Sequence, residues 1–552
     1  MNAKRILALV LALVLCVGLL AACGEQKPAE TKPAETKPAE TKPAETNPAE
    51  TTPAETQPAE QINSDVYPLV DAPDLDVIII NGTSSPYADR ENVATWERAT
   101  GVHINWVEIA DQAAYTTYIA GGKWADVAIA NGIDKATIYE YGQAGKLVNL
   151  AEYKEYMPNL WRAFEEIPGA YETVVNEDGS IYSLPTLSNT TTVGSPIYYR
   201  SDMAEKAGIA EIPTTIEEFF TWMEAWQNYY GKDGEFYCII PYSANDMNYA
   251  GTMANFFFPS FGELVKTNLH EHNGKVVLGA ATEQFKLYLQ FMNRLYNTPG
   301  FYKEAFVADA NFTKGLISES KTGVATTMTH LTKDAFPSGT FDIYGLKPLT
   351  SEQWSTPHNA KKNVASWSNK WISTECKDIE TACRWLDAFL APIDNPLNKE
   401  GTLWSLTPWR GELGVNFEFV GENGYKSYCP EGYASHLAWI TDHYIDAGLI
   451  GDVPYIDDAD SALSRKSYIM GECMDPYAQE WGNLTYITLS SDDQDEYATA
   501  WTDIDKYIAS MNSAFITGEK DIEAEWDTYI DTLNKMGLQD IIDIYQGYID
   551  AE

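Results

Sequence analysis

The chain has 552 residues, with 80 Asp and Glu against 38 Lys and Arg, a formal charge of −42 at neutral pH. That balance argues against a nucleic-acid partner, because every phosphate contact would begin from repulsion, and against adhesion to anionic lipid through charge. At 45% apolar and 12% aromatic, the chain can bury a large core, which excludes global disorder, a collagen, a coiled coil and a small disulfide scaffold.

Residues 1–22 begin with Lys4 and Arg5 and continue as an uncharged apolar run from Ile6 to Ala22. Such a run is at or below the short limit for a spanning helix, ~17–25 residues, so it is read as a signal peptide. Leu20-Ala21-Ala22-Cys23-Gly24 resembles the bacterial lipobox, which implies that Cys23 becomes a lipidated N-terminus; the alternative is an ordinary signal peptide with an incidental cysteine. From Lys27 to Gln61 run seven five-residue units, KPAET four times and then NPAET, TPAET and QPAEQ. A proline in every unit removes backbone donors, and nothing in the unit is large enough to bury. Residues 23–71 therefore read as a tether with an upper reach of roughly 150 Å at a polyproline rise, or as a repeat expansion with no length requirement.

Alternating elements follow. Asp76–Ile80 reads as a buried strand, Glu91–Thr100 as a helix stopped by Gly101, and Val102–Glu108 as a strand. Asp111–Ala120 reads as a helix, Asp126–Ala130 as a third strand and Asp134–Gly145 as another helix, a succession that predicts a parallel sheet covered on both faces. No GxGxxG follows the first strand, so a dinucleotide site is not indicated. Thr215 and Glu218 form a capping-box pattern ahead of Phe219, Trp222, Met223 and Trp226 on one helical face, and Thr282 opens a helix carrying Phe285, Tyr288 and Leu289. Two amphipathic helices, Tyr497–Thr517 and Lys520–Met536, end at Gly518 and Gly537. Helix-patterned Trp222, Trp226, Trp385 and Trp526 are read as core.

Beyond Cys16 and Cys23 the chain has Cys238, Cys376, Cys383, Cys429 and Cys473, an odd number with no CxxC, so neither a disulfide framework nor a zinc knuckle is indicated. The histidines, including His270/His272 and His436/His443, have no HExxH or ligand cluster, and Asp457–Asp460 and Asp492–Glu496 lack the spacing of an EF-hand loop. No metal and no cofactor is expected.

Several segments resemble the bacterial extracellular solute-binding lipoproteins of the carbohydrate type, the receptors of ABC importers. They are Tyr118-Ile-Ala-Gly-Gly-Lys-Trp-Ala-Asp-Val, Gly145-Lys-Leu-Val-Asn-Leu, Asp178-Gly-Ser-Ile-Tyr-Ser-Leu-Pro, Tyr198 to Ile209 with Pro213-Thr-Thr-Ile-Glu-Glu-Phe, Ser320-Lys-Thr-Gly-Val-Ala, and Gly518 to Gln546 around Trp526 and Tyr529. The resemblance runs over most of residues 74–550 and weakens between 395 and 480. It implies an α/β, two-lobed periplasmic-binding-protein-like fold (type II), with lobes joined by hinge strands and ligand in the cleft between them. Lobe one is expected to comprise 74–188 plus 326–372, and lobe two 189–325 plus 373–552. It further implies a monomer that binds a solute, an oligosaccharide by preference, and delivers it to ABC permease subunits from the outer face of the cell membrane, where lipid on Cys23 anchors it.

A sugar cleft needs aromatic plates and paired polar groups. Aromatics in polar or Gly/Pro-rich loops near strand ends are the candidates: Trp367, Trp409 and Tyr242. Because ligands bind beyond the carboxyl ends of strands in open α/β sheets, Ser84 and Ser85, Asn131, Asn245 and Asp246, and His330 join them, and Arg410 offers a forked donor pair. Packing, turn chemistry or capping is the competing role for each. Two other functions are kept in view. One is a cell-surface glycoside hydrolase, which needs two opposed carboxylates ~5–10 Å apart, although no GxSxG, HExxH or P-loop is present. The other is a sensor or adhesion lipoprotein of the same fold.

Overall fold

The computed structural model describes residues 66–81, 85–187 (without 131, 132 and 134), 196–327 (without 233), 343–391 (without 362–364), 407–420, 424–428, 430–431, 439–440, 443–445, 469 and 471–551 (without 488). In chain order, the first stretch holds β1 (Leu75–Ile80), α1 (Glu91–Thr100), β2 (Ile104–Ile109), α2 (Gln112–Ala120), β3 (Val127–Ala130), α3 (Lys135–Gln143), α4 (Pro158–Glu166) and β4 (Thr186–Leu187). The second holds β5 (Tyr198–Arg200), α5 (Ser201–Ala207), α6 (Ile216–Tyr230), α7 (Thr252–Phe257), β6 (Leu269–His272), β7 (Lys275–Leu278), α8 (Glu283–Tyr296), α9 (Ala310–Ser318), β8 (Val324–Ala325), β9 (Ile343–Gly345) and β10 (Asn359–Ala360). Then come β11 (Ala365–Ser366), β12 (Asn369–Ile372), α10 (Ile379–Ala388), α11 (Thr407–Arg410), β13 (Phe417–Val420) and β14 (Gly424–Ser427), and finally β15 (Ala478–Gln479), α12 (Ser491–Thr517), α13 (Ile522–Lys535) and α14 (Leu538–Ala551).

The first sheet has the order β12-β3-β1-β2. β1 runs parallel to β2, pairing Leu75 with Ile104 through Ile80 with Ile109, and parallel to β3, while β12 closes the other edge antiparallel with Trp371 against Ala128. Successive strand side chains point to opposite faces. Val77 and Ile79 accordingly join Trp96, Leu160 and Trp385 on one side, and Ile78 joins Tyr115, Ile119 and Trp371 on the other. Both faces are covered, as the β-α succession requires.

The second core gathers around α6, α8 and the C-terminal helices, with Trp222, Trp226, Phe257, Tyr288, Phe515 and Trp526 buried together. Its sheet has the order β8-β5-β9, antiparallel throughout, and Tyr237, Ile239 and Ile240 extend it through isolated parallel bridges, Ile240 to Ala325. The capping box forms as expected: Thr215 Oγ1 accepts from Glu218 N at 3.1 Å, and the Glu218 carboxylate reaches back to Thr215 N at 3.2 Å. Gly101 and Gly518 end their helices in the left-handed region, at φ 75° and 80°.

The lobe boundaries differ from expectation in two places. Residues 343–349, expected in lobe one, do not return to it: β9 pairs with β5 beside β8, so that Ile343, Leu346 and Leu349 are buried in the second core. Conversely, the segment after residue 372 stays with the first core, because α10 closes on it with Ala382, Trp385 and Leu386. α11 also packs on α1, where Pro408 O accepts from Asn92 Nδ2 at 3.4 Å. Described residues thus alternate between first core (67–187), second (196–361), first (365–445) and second (469–549). At one passage, β4 and β11 lie side by side, Leu187 against Ala365.

Candidate functional site

Beyond the carboxyl end of β1, Asn81 and residues 85–90 precede α1. Arg90 ties them together although it is only 1% exposed. Its guanidinium donates to Tyr444 O at 2.7 Å, and to Asn81 Oδ1 and Ser85 O at 3.1 Å each. It lies 3.6 Å from the centre of the Tyr87 ring. Tyr87 in turn packs on Trp106 of β2, with centroids 4.8 Å apart, and its backbone N–H donates to Glu108 Oε1 at 2.9 Å. Asn81 Nδ2 meets the other oxygen of Glu108 at 2.5 Å. Tyr444 carries the cluster to Trp409, edge to face at 4.8 Å. Arg90 and Tyr87 are buried, so they brace the cluster from within, and the half-buried rings of Trp106, Trp409 and Tyr444 are the part a sugar's C–H face could reach.

At the end of β3, Trp367 is half-buried between the two faces of the sheet. Its indole N–H donates to Ile133 O at 3.3 Å, an oxygen that Asn369 Nδ2 also reaches. Lys135 opens the next helix here, its ammonium pushed down to about 8 by burial. Trp367 follows β11 directly, which places this aromatic at the passage between the cores.

In the second core, Tyr242, Asn245 and Asp246 follow the bridged residues 237–240. Tyr242 is half-buried, and burial, with Asp309 and Asp246 nearby, raises its phenol above the ordinary value. Asn245 is exposed. Asp246 is committed to the fold: Oδ2 accepts from Tyr242 N (2.9 Å), Ser243 N (3.2 Å) and Thr326 Oγ1 (2.6 Å), and Oδ1 from Thr252 Oγ1 (2.6 Å). These bonds give it a capping role. Arg410 is 8% exposed, with its guanidinium 5.8 Å from the centre of the Trp409 ring.

Ser85 and Trp409 are thus brought into one cluster through Arg90 and Tyr444, with the Ser85 carbonyl accepting from Arg90. Ser84, Asn131, His330 and Cys23 lie outside the described residues. Sequence reasoning missed Tyr87, Arg90, Trp106, Glu108 and Tyr444. Only Tyr87, next to the Ser84-Ser85-Pro86 loop, carried the signal used for the other aromatics. Among the described residues, no group of three His, Cys, Asp or Glu side chains could hold a metal ion, and no helix is long and apolar enough to cross a membrane.

The chain is 25% identical over 513 residues to the fructooligosaccharide ABC transporter substrate-binding protein FusA of Streptococcus pneumoniae, an alignment covering 88% of this chain and 91% of that protein. The structure of FusA in complex with kestose superposes with a TM-score of 0.67 at 23% identity, covering 87% of this chain and 99% of the other. A human-milk-oligosaccharide (HMO) binding, ABC-transporter-associated solute-binding protein of Bifidobacterium longum infantis superposes at 0.68 with 16% identity, again covering 87% and 99%. These neighbours share the two-lobed α/β fold. Residues 91–365, just under half of the chain, match the family described as bacterial extracellular solute-binding protein.

Proposed function

We propose that the protein is a non-catalytic extracellular receptor that binds an oligosaccharide in the cleft between its lobes and delivers it to the permease subunits of an ABC importer. The observation that carries this reading is the pair of half-buried rings Trp409 and Tyr444, braced by the buried Arg90 and Tyr87 beyond the end of β1, on a chain related along most of its length to a fructooligosaccharide ABC transporter substrate-binding protein. Lipid on Cys23 anchors the receptor, the Pro-Ala-Glu-Thr repeats of residues 23–71 hold its body away from the membrane, and it acts as a monomer. Lobe closure on the ligand is a hinge motion at β4 and β11, in which the solute stabilises the closed form by binding it more tightly.

A thermal-shift panel of oligosaccharides tests this reading, since a ligand that binds only the folded protein raises its melting point. An upward shift with at least one saccharide is expected, reduced in the Trp367→Ala, Trp409→Ala double variant. Release of reducing ends from any of them would replace the receptor by a hydrolase, and a flat response to every saccharide would remove the transport reading.

A further inference from the structure

Lys266 is a buried cation with no anion beside it. The residue is only 7% exposed, its nearest polar contact is Asn255 Oδ1 at 3.5 Å, and among the described residues it makes no ion pair. Its ammonium lies 5.2 Å from the centre of the Trp481 ring. Burying an unpaired charge is costly and is normally avoided by pairing. In a chain with more than twice as many acidic as basic residues, a carboxylate could readily have been placed there. Burial pushes this lysine down to about 8.

The surroundings are unusual in the same sense. Thr267 Oγ1, His270 Nε2 and Asn359 Nδ2 are buried and accept or donate no hydrogen bond, in residues no more than 1% exposed. His270 and Asn359 are tied to Trp481. The His270 ring is 6.2 Å from it, and Asn359 belongs to β10, which pairs with β15 just before it. The indole N–H of Trp481 donates to Lys361 O at 2.7 Å, and Lys361 stands four residues ahead of β11. The group therefore sits where the second core hands the chain back to the first, on the second-core side of the passage marked on the other side by Trp367.

We infer that Lys266, Asn359 and Trp481 form a subsite for a carboxylate-bearing sugar, the indole facing the sugar ring and the ammonium pairing with its carboxylate. The inference rests on the receptor reading and names the solute's chemical character, a saccharide with an acidic residue at one end. A free carboxylate ion offers the same pairing group, and the experiment separates the two sources.

The full chain is titrated calorimetrically with trigalacturonate, with the neutral trisaccharide kestose and with acetate alone, in the wild type and in Lys266→Met, a replacement of similar length that removes the charge. Melting curves establish that the variant folds, and Trp481→Phe serves as a second variant. A preference for trigalacturonate over kestose in the wild type, falling at least tenfold in Lys266→Met and also reduced in Trp481→Phe, supports the subsite. Binding of kestose with no preference for the uronate, or a preference that survives Lys266→Met, overturns it while leaving the receptor reading intact. Binding of acetate with neither saccharide bound, lost in Lys266→Met, assigns the group to free anions and overturns the sugar subsite. Silence toward all three likewise overturns the subsite, while the receptor reading is decided by the wider saccharide panel.

Discussion

The ring of Tyr486 lies over Gly169: a Cβ at position 169 would come within 2.5 Å of Tyr486 Cζ and 2.7 Å of its hydroxyl. Gly169 belongs to the loop after α4, against the first core, while Tyr486 follows β15 beside the second. Gly169 also holds φ at 77°, a conformation that side chains other than glycine's rarely adopt. Gly169→Ala is therefore expected to lower stability by about 1–3 kcal/mol in denaturant unfolding. The double variant with Tyr486→Ala should recover part of the loss, because only the steric share can be relieved. A fully additive double variant would show that backbone strain alone is at work.

Asp387 ties α10 to the start of α4. Its carboxylate accepts from Leu160 N at 2.7 Å, Asn159 N at 3.1 Å and Asn159 Nδ2 at 2.8 Å, and it is fully buried. Asp387→Ala leaves two backbone donors without an acceptor, at an expected cost of roughly 2–4 kcal/mol.

The same residue gives the stability a pH dependence. Burial pushes the Asp387 carboxyl up to about 7, against the opposing pull of the Leu160 and Asn159 donors and of Arg162. The folded state then holds a proton that the unfolded chain has already released above about pH 4. Its contribution is full below pH 4, declines as pH rises to about 7 and is flat beyond. Urea titrations at pH 4.5, 6 and 8 should show this decline as the difference between wild type and Asp387→Asn. An unchanged difference across that range would mean that the carboxylate stays ionised on its amide donors.

Arg90 reaches Tyr444 across 354 residues of sequence and joins it to Ser85, which lies five residues before Arg90. Arg90→Lys keeps the charge but loses the fork and the flat contact on Tyr87, so stability should fall by about 2 kcal/mol. If the cluster contacts solute, oligosaccharide affinity should also fall at least tenfold by calorimetry. Unaltered affinity in a folded variant would leave the cluster a purely structural role.

Thr215→Ala removes the hydroxyl that caps α6, and a loss of about 1 kcal/mol is expected. Thr215→Asn should restore most of it, since an amide oxygen can accept the same N–H. If the alanine variant unfolds at the same denaturant concentration as the wild type, packing of Phe219, Trp222 and Trp226 alone holds the helix start.

Local patterns were the readable part of the sequence. The alternation in β1, the glycine stops at 101 and 518 and the capping box at 215–218 each follow from neighbours in the chain, and each appears in the structure. What could not be read was the choice between two equally apolar destinations. The stripe of Ala382, Trp385 and Leu386 says that α10 must bury a face, and nothing in it says that the first core receives it. The three residues of β9 are too few to show a period. Asp246 was ambiguous for a related reason: a carboxylate three residues past a serine suits a cap as well as a solute. Arg90 and Tyr444 meet only because the chain returns to the first core, so no spacing could have paired them.

The antiparallel edge formed by β12 sets an order for biosynthesis. β3 is complete at Ala130, but the strand that covers its open side begins at Asn369, about 240 residues later. At synthesis rates of ~5–20 residues per second, that is roughly 10 to 50 s. Throughout that interval the nascent first lobe presents an uncapped strand edge and an unfilled groove awaiting Trp371 and Trp385. It cannot mature ahead of the second lobe, so the nascent chain needs either chaperone cover or an export route that keeps it unfolded.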